Sequence, residues 1–390
     1  MISNHRRRWR YERCRHPRCA YLAMMLGVTF LACGCGPLAP GAWKESDVLD
    51  PVRPLTVAAD FRDASQPVLS PDMRWLAFTG VAAGQELPQV FVAEVVFEGD
   101  LPRLGRFVAV TPADARSGTP TFSPDGQTLL LSSTTGGASD PFQTDAPEAF
   151  RFDAASELYR VDNWQFNVAT ALESAEPGQV PAVNLARIAF HPAVGYDGEA
   201  VISPDGKFVA FSSDRDAPRR ALDRRNLLDL YVAPFDGGGE PVRLTTTQGF
   251  DGQPIWTIDG DTLVFVSDRG INGIARLYAM DVIRDANGNI VGGGEPRLLT
   301  EDRRAAEPSL HPDGEFLVYV DRTDAATTGD TVLRQIRPNG KRDFRLSFDP
   351  AADETPRFSQ DGKLLLFSSR RTEDGSRQLF VARFKPLRRS

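Results

Sequence analysis

The chain is predicted to be all-β, a six-bladed β-propeller whose N-terminal strand closes the last blade, and three observations carry that prediction. A strand–turn–strand unit recurs with its turn aspartate at Asp72, Asp125, Asp205, Asp259, Asp313 and Asp361. These aspartates are separated by 53, 80, 54, 54 and 48 residues, the length of a four-stranded blade with its loops. The C-terminal unit, ending in Gln378 to Phe384, is one strand short, while a strand-like segment near the N-terminus has no unit of its own.

The unit is clearest from Gly198 to Arg215. Ser203-Pro204-Asp205-Gly206 is turn chemistry: proline fixes φ, aspartate bonds back to its own backbone, and glycine takes a conformation that a side chain opposes. Val209 and Phe211 then alternate with smaller or polar residues, the period of a strand. The sixth residue after each turn aspartate is Phe78, Leu131, Phe211, Phe265, Tyr319 or Phe367, so one face of every second strand is large and apolar. Five residues before it stands Pro67, Pro120, Pro254, Pro308 or Pro356, with Ala200 in the third unit.

Taken in order, residues 1–32 read as an export signal. Arg6, Arg7, Arg8, Arg10, Arg13, Arg15 and Arg18 precede an apolar run from Tyr21 to Ala32, which is too short for a stable membrane span. Leu31-Ala32-Cys33 resembles a bacterial lipoprotein signal, which implies lipidation of Cys33; an ordinary cleaved signal is the alternative. All four cysteines lie in this leader, so the body is expected to hold no disulfide. The leader carries seven Arg and one Glu, so the net charge of −7 becomes −13 without it. An acidic body argues against nucleic acid as a partner and leaves the lipid as the expected contact with membrane.

Residues 33–50 are rich in Pro, Gly and Ala and read as a linker; residues 51–390 form the propeller. Pro51-Val52-Arg53-Pro54-Leu55-Thr56 repeats the pattern of Pro241-Val242-Arg243-Leu244-Thr245, the last strand of an interior unit, and is expected to pair with Gln378 to Phe384. The long interval from Asp125 to Asp205 is assigned to enlarged loops of the second blade, Ser139 to Phe152 and Asn163 to Pro181.

Ser-Pro-Asp-Gly-Lys-x-Val-x-Phe-x-Ser-x-Arg, with Asp229-Leu230-Tyr231-Val232 and Arg243-Leu244-Thr245, resembles the WD40-like PD40 repeat of the TolB-like β-propellers. The resemblance implies an exported bacterial protein, periplasmic or anchored at the outer membrane. Related propellers front prolyl oligopeptidase-type peptidases or form oligogalacturonate lyases, and fold alone transfers neither activity.

Among motifs that carry chemistry, there is no Gly-x-Ser-x-Gly elbow and no His-Glu-x-x-His. The body holds two histidines, His191 and His311, both read as turn residues. No catalytic residue is assigned. Arg215, Arg269, Arg322 and Arg371 are expected to pair with turn carboxylates between blades, and Arg219, Arg220, Arg224 and Arg225 crowd one loop as a solvated stretch or a docking patch. The most informative positions lead into each first strand: Asp197, Asp251 and Asp353 lie eight residues before the turn aspartate, and Glu199, Gln253 and Glu307 lie six before it. First strands line a propeller's channel, so these six residues are expected to form an acidic ring at its mouth, able to hold a ligand or a divalent cation such as calcium. The function expected is non-catalytic binding of an envelope protein or polymer; the alternative is a carbohydrate-active, lyase-like or metal-assisted enzyme at that mouth.

Overall fold

The computed structural model describes residues 44–134, 156–175, 181–183, 188–192, 195–217, 227–270, 273–324, 331–341 and 343–385. The leader with Cys33, the stretch from Ser139 to Phe152 and the arginines from Arg219 to Arg225 lie outside the described residues. No helix among the described residues is long and apolar enough to cross a membrane.

A 3₁₀ turn over Glu45–Asp47 leads into β1 (Leu49–Pro54). Blade 1 is then β2 (Phe61–Leu69), β3 (Trp75–Ala82), β4 (Gln89–Glu98) and β5 (Leu101–Ala109). Blade 2 is β6 (Ser117–Phe122), β7 (Thr128–Ser133), β8 (Glu157–Asp162) and, after helix α1 (Trp164–Ser174), β9 (Ile188–Ala189). Blade 3 is β10 (Asp197–Ile202), β11 (Phe208–Ser213), β12 (Asp229–Pro234) and β13 (Val242–Arg243). Blade 4 is β14 (Asp251–Trp256), β15 (Thr262–Ser267) and a long β16 (Arg276–Arg284), whose outer half pairs β17 (Ile290–Gly293) and inner half β18 (Arg297–Leu298). Blade 5 is β19 (Ala305–Leu310), β20 (Leu317–Asp321), β21 (Val332–Ile336) and β22 (Phe344–Arg345). Blade 6 is β23 (Asp353–Phe358), β24 (Leu364–Ser369) and β25 (Gln378–Phe384), completed by β1.

Closure is as the repeat count requires. β1 runs antiparallel to β25, with Val52 opposite Ala382 and Pro54 opposite Phe380. The pairing continues through Leu55, whose N–H donates to the Leu379 carbonyl at 2.7 Å, and Thr56, whose Oγ1 accepts from the Leu379 N–H at 2.9 Å. Contact with blade 6 also begins earlier than the boundary at 51, because Glu45 pairs with Arg371 at 2.7 Å.

The turns form for the reasons their composition suggests. In blade 3 the Ser203 hydroxyl donates to Asp205, the Lys207 N–H donates to the same carboxylate, and Gly206 takes φ 70°. His311 substitutes for that serine in blade 5: its Nδ1 accepts from the Asp313 N–H at 3.2 Å, and its Nε2 lies 3.1 Å from the Gly362 carbonyl of the next blade's turn.

The second strands bury both faces, so each apolar cluster sits between two neighbouring blades. Phe61, Phe78 and Phe91 of blade 1 pack with Leu364 and Leu379 of blade 6, and Val266 and Leu277 of blade 4 pack with Leu317 and Tyr319 of blade 5. A ring of sheets held this way shares its hydrophobic energy across every interface and leaves each blade only short edges at its first and last strands.

Asn163 to Pro181 is not simply a loop: α1 packs Trp164, Val168 and Leu172, all buried, against blades 1 and 2. Trp164 Nε1 donates to the Gly126 carbonyl at 3.2 Å, and its ring meets Trp75 edge-on with centroids 5.7 Å apart. The spacing of those three residues, i, i+4 and i+8, is one helical stripe.

Candidate functional site

Every first strand is interrupted at the same point. The residue six before the turn aspartate has a left-handed φ: 54° at Gln66, 48° at Thr119, 54° at Glu199, 52° at Gln253, 54° at Glu307 and 49° at Thr355. There the register against the second strand shifts by a bulge. None of the six is glycine, and a side chain held in this region costs of order 1–3 kcal/mol, so the surroundings must enforce it.

At five of the six positions they do so by linking blade to blade. The N–H of Thr119 donates to Gln66 Oε1 at 3.0 Å, that of Gln253 to Glu199 Oε2 at 2.7 Å, and that of Glu307 to Gln253 Oε1 at 2.7 Å. The Thr355 N–H donates to Glu307 Oε2 at 2.6 Å, and the Gln66 N–H to Thr355 Oγ1 at 3.1 Å, which carries the girdle across the closure of the ring. Among the described residues only the junction from Thr119 to Glu199 lacks such a bond; Thr119 Oγ1 instead lies 2.8 Å from Ser132 Oγ. Glu199 also accepts from the Ser212 hydroxyl at 2.8 Å. Burial raises its carboxyl above the usual range, the Gln253 N–H and Ser212 hydroxyl oppose that rise, and the Glu307 charge adds to it.

The six residues expected at the channel mouth therefore divide. Glu199, Gln253 and Glu307 line the channel as links of the girdle. Asp197, Asp251 and Asp353 do not line it: they are at most 1% exposed, because the intervening bulge breaks the two-residue period that would have put both sets on one face. Each is instead clamped by the arginine eighteen residues on. Arg215 donates to Asp197 at 3.0 Å and to Ser213 Oγ at 3.0 Å, with its guanidinium 5.0 Å from the Phe211 centroid. Arg269 does the same with Asp251 at 2.8 Å, Ser267 and Phe265; Arg371 does so with Asp353 at 2.9 Å, Ser369 and Phe367. These arginines thus pair with first-strand carboxylates of their own blade, and not with turn carboxylates between blades. Arg322 departs from the pattern, joining Glu307 at 2.8 Å to Glu354 of the next blade at 3.3 Å. Arg377 extends that chain from Glu354 at 3.1 Å to Asp63 of blade 1 at 2.8 Å.

The girdle surrounds a cavity of about 640 Å³ on the channel. Its lining holds Arg62, Arg116, Arg357, Arg370 and Arg377 against Asp63, Glu86, Glu199 and Glu307, so the expected acidic mouth is corrected to a mixed one with one arginine in excess. The residue the sequence reading missed is Arg357. It stands two places beyond the bulge, where the other blades have Val68, Thr121, Val201, Ile255 and Ser309. Its Nη1 donates to the carbonyls of Pro356 at 2.8 Å and Pro308 at 3.5 Å. Burial lowers its pKa, against the through-space pull of Glu307 and Glu199. The sequence signal was available: aligned on the turn aspartates, this is the one charged residue in its column.

Of the two body histidines, His191 is pushed down in pKa by burial and packs edge-on against Phe190, and His311 belongs to a turn. Among the described residues, no three His, Cys, Asp or Glu side chains gather as a metal ion requires.

Residues 219–382 match the family described as the TolB beta propeller domain, PD40. No curated protein matches the chain. Among solved structures, TolB from Acinetobacter baumannii is 18% identical with a TM-score of 0.48; the match covers 83% of this chain and 64% of that one. An oligogalacturonate lyase from Vibrio parahaemolyticus is 15% identical, TM-score 0.48, covering 86% and 95%. A gluconolactonase from Xanthomonas campestris is 14% identical, TM-score 0.50, covering 87% and 97%. Likeness at this level is likeness of fold. Residues 219–382 are thus similar to the TolB-type PD40 propeller, and the structure carries the same turn and bulge in all six blades.

Proposed function

We propose that the chain is an exported, non-catalytic binding propeller of the bacterial envelope, tethered through a lipid on Cys33, whose partner is an envelope protein or polymer. One observation carries this reading: the channel carboxylates best placed for acid–base work, Glu199 and Glu307, accept hydrogen bonds from the main chain of the next blade. Their oxygens hold the ring together, and what the channel offers a partner is a preformed wall. Preformed walls bind well because little side-chain entropy is lost on contact.

Crosslinking of the exported protein in intact envelopes, followed by capture, should recover a specific partner from wild type. Purified protein incubated with polyuronides and peptides, with and without divalent cations, should show no turnover. Turnover that is lost in Glu199→Gln would replace this reading with an enzymatic one. Cys33→Ser together with Cys35→Ser should release the protein from the membrane fraction or leave it uncleaved, and a processed double variant that stays membrane-bound would refute the tether.

A further inference from the structure

Arg357 is unlike the other arginines of the channel region. Arg322 and Arg377 face carboxylates within 3.3 Å, whereas among the described residues no carboxylate lies within 4 Å of Arg357, whose bonded partners are two main-chain carbonyls made through one nitrogen. A guanidinium has five donors in a planar fork, and a partly buried charge left with so few partners is costly unless something completes it. Arg357 lines the cavity, whose lining also holds the aliphatic side chains of Val68, Val201 and Ile255.

We propose that Arg357 makes the channel waist a binding site for a singly charged carboxylate carried on a small apolar group. This deepens the binding function proposed above and rests on it. The fork matches the two oxygens of one carboxylate, and the aliphatic side chains of the lining suit the group attached to it. Glu199 and Glu307 lie close enough to act on Arg357 through space, so a dianion such as phosphate would meet about twice the repulsion of a monoanion. The lining's other arginines, Arg62, Arg116 and Arg370 among them, favour entry of an anion into a chain whose net charge is −7. Such a carboxylate is found on a free organic acid and at the C-terminus of a peptide ending in an apolar residue.

Calorimetric titration of the exported chain with N-acetyl-leucine, N-acetyl-leucinamide and a hexapeptide ending in leucine, free or amidated, tests this. The free carboxylates should bind, and the amides should bind weaker by about tenfold or more, the loss expected for a charge-assisted hydrogen-bonded pair. Arg357→Met should abolish binding and Arg357→Lys should weaken it, since lysine keeps the charge and loses the fork. Binding of N-acetyl-leucine assigns the site to small acids, and binding of the free peptide alone assigns it to a peptide terminus. Equal binding of acid and amide by the wild type, no binding of either free carboxylate, or wild-type binding by Arg357→Met would overturn the proposal. The acid–amide comparison uses unaltered protein, so misfolding of a variant does not bear on it. Envelope capture that survives in protein unable to bind carboxylates would sink this inference and leave the scaffold function standing; the opposite pattern would do the reverse.

Discussion

Blades 3, 4 and 6 anchor the start of their first strand with a buried ion pair, Asp197–Arg215, Asp251–Arg269 and Asp353–Arg371. Blade 2 has Ser117 and Ser133 at that place, their hydroxyl oxygens 2.8 Å apart. Blade 2 also holds α1 and borders the girdle junction that, among the described residues, has no link. A buried ion pair must recover the desolvation of two charges, and here serine hydroxyls and an aromatic face complete the coordination. Two hydroxyls carry a far smaller desolvation cost and return a smaller bond. Blade 2 has exchanged a strong, geometrically demanding clamp for a weak one and gained the apolar contact of Trp164, Val168 and Leu172 instead.

The largest effect expected concerns blade 6, whose clamp reaches Glu45 and whose fourth strand is β1. Deleting Pro51 to Ala58 should expose the edge of β25 and lower the unfolding temperature further than any single substitution, while deleting Gly36 to Lys44 should leave it nearly unchanged. A disulfide engineered between Arg53 and Val381, which face each other, should raise it. An unaltered thermal transition after the first deletion would show that β1 does not close the ring.

Next come the clamps themselves. Asp251→Ala leaves Arg269 buried without its carboxylate and should cost about 3–5 kcal/mol in chemical denaturation. Ser117→Ala in blade 2 should cost about 1 kcal/mol, the worth of one neutral hydrogen bond. Equal costs would erase the distinction between the two kinds of blade.

The smallest effect concerns what the blades share. Asp125 of blade 2 and Asp259 of blade 4 are both held below the usual carboxylate range, first by the hydroxyls of Ser123 and Thr257 and then by the N–H groups of Gln127 and Asp261. Because their folded pKa values are lowered, the stability they contribute is present above the unfolded value of about 3.9 and is lost as pH falls through the folded values. Asp125→Asn and Asp259→Asn should therefore flatten the acid limb of the stability–pH curve to a similar, small extent. A large effect in one alone would mean that the turns are not equivalent.

The turns, the second strands and the closing strand were legible because each is local chemistry repeated six times: Ser-Pro-Asp-Gly makes a turn wherever it stands, and alternation makes a strand. The bulge was not legible. Gln66, Gln253 and Glu307 are ordinary strand residues by composition, and their left-handed φ is enforced by an acceptor some fifty residues away or across the ring closure. With the bulge unseen, Asp197 and Glu199 fell on one face when the structure puts one in a clamp and the other on the channel. Helix α1 was hidden for a different reason, since the polar stretch around it masked a three-residue stripe.

Glu199 serves the channel as a link of the girdle, through the Gln253 N–H and the Ser212 hydroxyl that it accepts from. Thermal unfolding and envelope capture measured together on Glu199→Gln and Glu199→Ala test this most directly. Glutamine retains an oxygen that can accept from the Gln253 N–H and the Ser212 hydroxyl, so it should keep both the wild-type unfolding temperature and the partner. Alanine leaves the buried N–H without an acceptor and should lose about 1–3 kcal/mol of stability. A Glu199→Gln protein that is as stable as wild type yet has lost its partner or a measurable turnover would contradict the account, because the carboxylate charge, and not the link, would then be what the channel uses.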